Sequence, residues 1–195
     1  MKDMNKLNCN EIRAVYSQET IRVYQAYSSD IACEAVKLGT FGPKFKMDRM
    51  TWIKPSFLWM MYRSGWGTKE NQEHTLAIDL RREGFDHMVK NAVLSSYQEK
   101  FHDSYEDWKN QIQNSEIRCQ WDPERDVFGN ALNYRSIQIG LRGETLKKYV
   151  NEWIVKLTDI TEYVDSLRKR KETGQDITEL LPDEKTYLFL DENLK

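Results

Sequence analysis

Residues 117–125, IRCQWDPER, and 134–141, YRSIQIGL, decide how this chain is read. In both runs apolar and polar residues alternate: Ile117, Cys119 and Trp121 against Arg118 and Gln120, then Ile137 and Ile139 against Ser136 and Gln138. A period of two sends alternate side chains to opposite faces of a strand, so both runs predict half-buried strands, with Asp122-Pro123-Glu124-Arg125 as a turn leaving the first. Strands of a parallel sheet are covered on both faces and read as continuous apolar runs, so this alternation points to antiparallel pairing.

Toward the N-terminus, the β-rich runs Ile12 to Tyr16 and Ile21 to Tyr27 flank a polar turn at Ser17 to Glu19 and predict a hairpin or two sequential strands. Ser28-Ser29-Asp30 caps a helix with Ile31, Ala35 and Leu38 on one side and Gly39 as its stop. Residues 40–48 read as a surface loop. Pro55 can open and Gly65 close a short helix that places Trp59 and Arg63 on one face. Gln72 to Leu80 predicts a strand, Phe85 to Leu94 a short helix, and Tyr97 to Ser115 a polar helix.

Toward the C-terminus, Leu146, Tyr149, Val150, Trp153, Ile154, Leu157, Ile160, Val164 and Leu167 recur at helical spacing and predict one long helix over about 144–170, packed on the sheet. A short helix at 176–181 and an apolar patch at 187–190 follow. Strands interleaved irregularly with helices give an α+β class, with a mixed or mainly antiparallel sheet. At 195 residues the chain fits one domain on a prior of ~100 to 200 residues each, with 1–10 and 172–195 peripheral or flexible. The glycine signatures GxGxxG and GxxxxGK[ST] are absent, which argues against a dinucleotide fold of the doubly wound kind and a phosphate loop.

Lys+Arg 29 against Asp+Glu 31 leaves a net charge of -2, so any anion site must be local. No run approaches a membrane span and the first residues lack a signal peptide's apolar core; with Cys9, Cys33 and Cys119 far apart, a reducing cytoplasm is the expectation. The cysteines and His74, His87 and His102 share no ligand spacing, so no metal is expected.

Between 49 and 73, Arg49, Lys54, Arg63 and Lys69 interleave with Trp52, Trp59 and Trp66. Guanidinium and ammonium groups bind phosphate oxygens, and an indole face stacks on a base. Those are parts of a nucleotide site; equally, the tryptophans can be core and Trp59 over Arg63 a structural cation–π pair. Glu73, at a strand entrance, can hold a ribose hydroxyl or act as a base, or be an exposed acid. Trp121, Asp122, Glu124 and Arg125 can supply an acid or base, or an ion pair that holds the turn. Ser136 and Gln138 share one strand face and Arg135 takes the other.

The strings YQAYS at 24–28, RMTWIKPSFLWM at 49–60, YRSGW at 62–66, QWDPER at 120–125 and RSIQIG at 135–140 closely resemble a family catalogued only as domain of unknown function 4291, over about Ile12 to Asp165. That resemblance implies no activity. More distantly, the strand Val-Tyr-Gln-Ala followed by a helix ending at Gly39 and Phe41 is similar to the opening of ADP-ribosyltransferase-like domains. There a strand Arg or His holds the ribose of NAD, a position that falls on Gln25 here, and the catalytic acid's strand offers Gln138.

The expectation is a nucleotide- or nucleic-acid-handling enzyme, an ADP-ribosyltransferase-like transferase acting on NAD. Arg49, Lys54 and Arg63 would clamp phosphates, Trp52 or Trp59 would stack, and Trp121 and Arg125 would also bind the substrate. Gln25 and Ser28 would hold ribose, with Glu73, Asp122 and Gln138 as the polar catalysts. A non-catalytic nucleic-acid-binding module and a protein-interaction domain anchored by the tryptophans are the alternatives.

Overall fold

In the computed structural model, which describes residues 10–99 and 101–189, the two alternating runs are long antiparallel neighbours. The chain begins with β1 (Arg13–Ala14), β2 (Thr20–Tyr27) and α1 (Ser29–Leu38), and α1 stops at Gly39 in a left-handed conformation of φ 72°. β3 (Thr51–Ile53), α2 (Phe57–Ser64) and β4 (His74–Arg81) follow, then α3 (Arg82–Lys90), β5 (Val93–Leu94) and α4 (Tyr105–Asn114). β6 (Ile117–Arg125) and β7 (Ala131–Leu141) precede α5 (Gly143–Lys148), β8 (Ile154–Asp159), α6 (Thr161–Glu172) and β9 (Lys185–Thr186).

Three sheets result, in the orders β2-β4-β8, β3-β7-β6-β5 and β1-β9. All named pairs are antiparallel except β5 with β6. The class is α+β in a single domain.

The alternation read from the sequence is what assembles the core. Ile21, Val23, Leu76, Ile78 and Leu80 from one sheet join Ile117, Cys119, Ile137, Ile139 and Leu141 from the other in one buried cluster. The opposite face of β2 and β4 is also covered: Tyr24 and Ala77 pack with Phe57, Met60 and Met61 of α2 and with Val164 and Leu167 of α6.

The single helix expected over 144–170 is replaced by α5, a π-helical turn Tyr149–Trp153, β8 and α6. The reason lies in β4. Its backbone needs partners on the side away from β2, and β8 supplies them, with Ile78 opposite Leu157 and Ala77 opposite Thr158. Trp153 and Leu157, four apart, share a side in a helix and in a strand alike, so burial alone cannot tell the two. Ile154, Val155 and Thr158 are β-branched and tip the local preference toward strand.

The expected turn at 122–125 is instead the continuation of β6. A register shift between Pro123 and Arg125 accommodates the proline, which has no N–H to donate. The reversal comes later, at Asp126, whose carboxylate accepts from the Phe128 and Asn130 backbone N–H groups.

Of the two arrangements expected at the N-terminus, two sequential strands form: β1 and β2 share only the bridge between Tyr16 and Ile21, and β1 pairs with β9. Residues 97–99 and 101–104 lie outside α4, which starts behind the Ser104 cap, and the expected helix at 85–94 ends at Lys90. In the presumed surface loop, Phe41 and Phe45 are buried and stacked at 4.3 Å.

Ile177 and Tyr187 of the expected peripheral tail are core side chains. Cys9, the rest of 1–9, and residues 190–195, including the end of the apolar patch, lie outside the described residues.

Candidate functional site

The strand that carries Trp52 pairs with β7 so that Trp52 faces Gly140. A methyl group at 140 would come within 3.0 Å of the indole ring and 2.7 Å of Met50 Sδ, so only glycine lets the ring lie on the strand. Two residues later the Lys54 carbonyl accepts from the Tyr24 N–H at 2.7 Å, which ties the end of β3 to β2 and brings the two large sheets together. Ser56 then caps α2, its hydroxyl accepting from the Trp59 N–H at 3.1 Å. Gly65 ends that helix at φ 60°.

Between these elements lies a cleft of about 590 Å³. Arg49, Trp52, Lys54, Trp59 and Arg63 line one side, from β3, the chain around it and α2. Gln120 and Gln138, neighbours across β6 and β7, form part of its wall, and Asn71 and Gln72 close an end. Three of these side chains are cationic, and no Asp or Glu is among the lining residues.

Lys54 is the unusual member. It is 6% exposed, and its Nζ sits 4.9 Å from the Trp59 ring centroid. Among the described residues it has neither an ion pair nor a hydrogen-bond partner for that ammonium. Its pKa is lowered to about 8, by burial first and then by the nearby Arg63, with Asp122 opposing both. The cation over Trp59 is thus Lys54, not Arg63. Among the described residues the Trp59 indole N–H is also buried without a partner.

The polar wall is ordered by Asp122. Its Oδ1 accepts from Gln120 Nε2 at 2.7 Å and its Oδ2 from Gln138 Nε2 at 2.7 Å. Asp122 itself stands behind the amides, outside the lining.

Gln25 lines the cleft but is committed elsewhere. Its Nε2 reaches the Tyr27 hydroxyl at 2.8 Å, Thr51 Oγ1 at 3.0 Å and the Trp52 carbonyl at 3.1 Å, and its Oε1 accepts from the Tyr149 hydroxyl at 2.8 Å. It fastens β2 to β3.

The remaining candidates are not gathered here. Ser28 precedes α1 and makes no side-chain cap bond. Glu73 accepts from the Asn71 N–H at 2.8 Å, holding a loop in which Asn71 has φ 61°. Trp121, on the core side of β6, lines a separate cavity of about 650 Å³ with Leu94, Phe101, Cys119 and Arg135. Arg125 lies with its guanidinium 4.0 Å from the Tyr62 ring and donates to the Gly129 carbonyl. Among the described residues no ion pair joins it to Asp122 or Glu124. Trp66 packs edge-on against Phe57, with Lys171 above its ring.

Of the polar lining residues, Tyr27, Thr51 and Asn71 carry no sequence signal of a site, and Gln120 stood out only as part of QWDPER. The period of two that paired Ser136 with Gln138 would have found Gln120 once the register of β6 on β7 was known.

A second unusual group lies beside α2. Glu184 Oε1 accepts from the Phe57 N–H at 2.6 Å, and burial, with Glu124 close by, raises its pKa to about 8. Burial likewise raises Glu124. Among the described residues no group of three His, Cys, Asp or Glu is placed to hold a metal ion. No helix there is long and apolar enough to cross a membrane.

The chain belongs to the family described as Domain of unknown function (DUF4291), which matches residues 11–187. No curated protein matches it. The likeness to ADP-ribosyltransferase-like domains finds no support in these comparisons.

Proposed function

We propose, taking membership of this family as the premise, that the cleft binds a nucleotide: phosphates on Lys54, Arg63 and Arg49, and the ring against Trp52. The observation that carries this reading is the lining itself, three cations and no carboxylate on a chain of net charge -2. An unpaired ammonium held in a buried site costs free energy, and a fold keeps such a group where a ligand will pair with it. The unpartnered Trp59 N–H supplies a neutral donor beside it. Arg offers two parallel donors to a phosphate and Lys a compact point charge, so the set suits a phosphate chain.

Cations fixed in a cleft also stabilise charge that builds on a phosphate leaving group, which makes group transfer from a nucleotide such as NAD the reaction class we assign. Within it, the arginines and Lys54 would carry the electrophilic role. Gln25 and Glu73 would act through the framework they hold.

Calorimetric titration with tripolyphosphate, AMP, ATP and NAD tests the reading. Ligand at 100 times its Kd adds about 2.7 kcal/mol of stability, a clear thermal shift. Arg63→Ala should weaken every phosphorylated ligand. If none of the four binds, or if Arg63→Ala binds them as the parent does, the nucleotide site is rejected.

One observation favours a second reading: Gln120 lines both the cleft and the cavity that holds Trp121, Phe101 and Arg135. A single-stranded nucleic acid crossing the β6 edge would use both. Its affinity would rise with strand length and fall steeply with salt, whereas a mononucleotide site shows no length dependence.

A further inference from the structure

The two glutamine amides of the cleft wall are not free to turn. A carboxylate is an acceptor only, so both contacts with Asp122 require the NH2 end of each amide to face it. This fixes where the other amide atoms stand. Gln120 Oε1 takes the Ser95 hydroxyl at 3.4 Å, while Gln138 Oε1 meets no partner among the described residues. Gln138 lines the cleft and keeps one N–H besides the one given to Asp122.

We propose that Asp122 is a positioning residue that locks Gln138 so that its carbonyl and remaining N–H read the edge of the ligand's ring, selecting a heterocycle with a hydrogen-bond donor beside an acceptor. The inference rests on the nucleotide reading and deepens it. A primary amide pairs in two-point fashion with such an edge, as it does with the amino group and ring nitrogen of adenine. Adenine and a pyridine carboxamide both carry it. Hypoxanthine presents two acceptors on its N7 side and, on its N1 side, acceptor and donor in the reverse order, while a pyridine carboxylate presents acceptors only, so neither matches an amide fixed in one orientation.

Without the carboxylate the amides lose their orientation. In Asp122→Asn the new amide offers one acceptor and one donor, so one of the two glutamines must flip and Gln138 is no longer held in a single orientation.

The test compares AMP with IMP, and nicotinamide mononucleotide with nicotinic acid mononucleotide, by calorimetry on the parent, Asp122→Asn and Gln138→Leu. Tripolyphosphate serves as the ring-free control. Work at pH 6.5, below the Lys54 pKa of about 8, keeps that ammonium charged in the parent and in Gln138→Leu, which both retain Asp122. The parent should favour the member with the donor–acceptor edge in at least one pair by about 10-fold or more. Which pair shows the preference identifies the ring. Both variants should reduce that ratio to within about 2-fold while binding tripolyphosphate. Gln138→Leu, an internal strand substitution, carries the test if Asp122→Asn fails to fold. Equal binding of both members of both pairs, with tripolyphosphate bound, overturns ring reading and leaves the phosphate site standing. A preference that survives both variants also overturns it. Failure of tripolyphosphate and all four nucleotides to bind overturns the nucleotide reading and this inference together.

Discussion

Lys54 shows at a single residue why a site and a stable fold pull in opposite directions. Its pKa, lowered from 10.5 to about 8, means that the folded state carries the cation at a cost at neutral pH. Lys54→Met keeps the stem that lies on Trp59 and removes the charge. We expect it to stabilise the protein by roughly 1–3 kcal/mol in urea unfolding at pH 7 while tripolyphosphate binding falls about 10-fold or more. A variant that loses stability would show that the ammonium has a partner within the fold. Affinity in the parent should decline as pH rises through about 8, where Lys54 gives up its proton. The pairing of Lys54 with Trp59 was half legible: composition placed cations among tryptophans, but helical spacing nominated Arg63, which shares the cleft and not the ring.

At the scale of elements, α2 and the segment after α5 decide most. Ser56 is 1% exposed, and its hydroxyl caps α2 at the Trp59 N–H. Ser56→Ala should cost about 1 kcal/mol of stability. It should also loosen Trp59, visible as a change in near-ultraviolet circular dichroism. The caps and stops were readable because they are local: Gly39 and Gly65 stand in left-handed backbone where glycine is cheapest. The fate of 144–170 was not local. Its apolar residues satisfy a helical period, but β4 demands hydrogen bonds along its free side, and the strand answers that demand. The π-helical turn then lays Trp153 on α3, where a methyl group at Gly84 would meet the indole at 2.5 Å. Gly84→Ala should therefore destabilise by about 1–3 kcal/mol through overpacking. A neutral result in chemical unfolding would remove the support for this placement of the turn and β8.

At the scale of the whole molecule, two ionisable groups against α2, the buried Lys54 and the half-buried Glu184, set the response to pH. The raised pKa of Glu184 means the folded protein holds a proton that the unfolded chain releases, so its stabilising effect is complete below about 4.5 and is lost as pH rises through about 8. Lys54 has the opposite sense. Its lowered pKa makes stability rise above about 8, until buried tyrosines such as Tyr27, raised to about 12, reverse the trend above 10. Urea midpoints measured against pH should pass through a minimum near pH 8. Glu184→Gln should flatten the falling limb and Lys54→Met the rising one; a profile indifferent to both substitutions would sink this assignment.

The sequence by itself determined the α+β class, the family, most strand and helix positions, and the presence of an aromatic and cationic stretch. The family is carried by specific strings such as RMTWIKPSFLWM at 49–60; the rest is written in local composition or in a period of two or of 3.6, which follows from backbone geometry alone. Only the tertiary structure decided that Arg49, Trp52, Lys54, Trp59 and Arg63 meet Gln120 and Gln138 in one cleft, and that Trp121, Arg125 and Glu73 are turned to other work. It decided too that residues 154–159 form a strand and that Gln25 is a fastening. The physical reason is common to all of them: strand pairing, burial and hydrogen-bond saturation join residues far apart in the chain, and their outcome depends on which partner's backbone and polar groups remain to be satisfied.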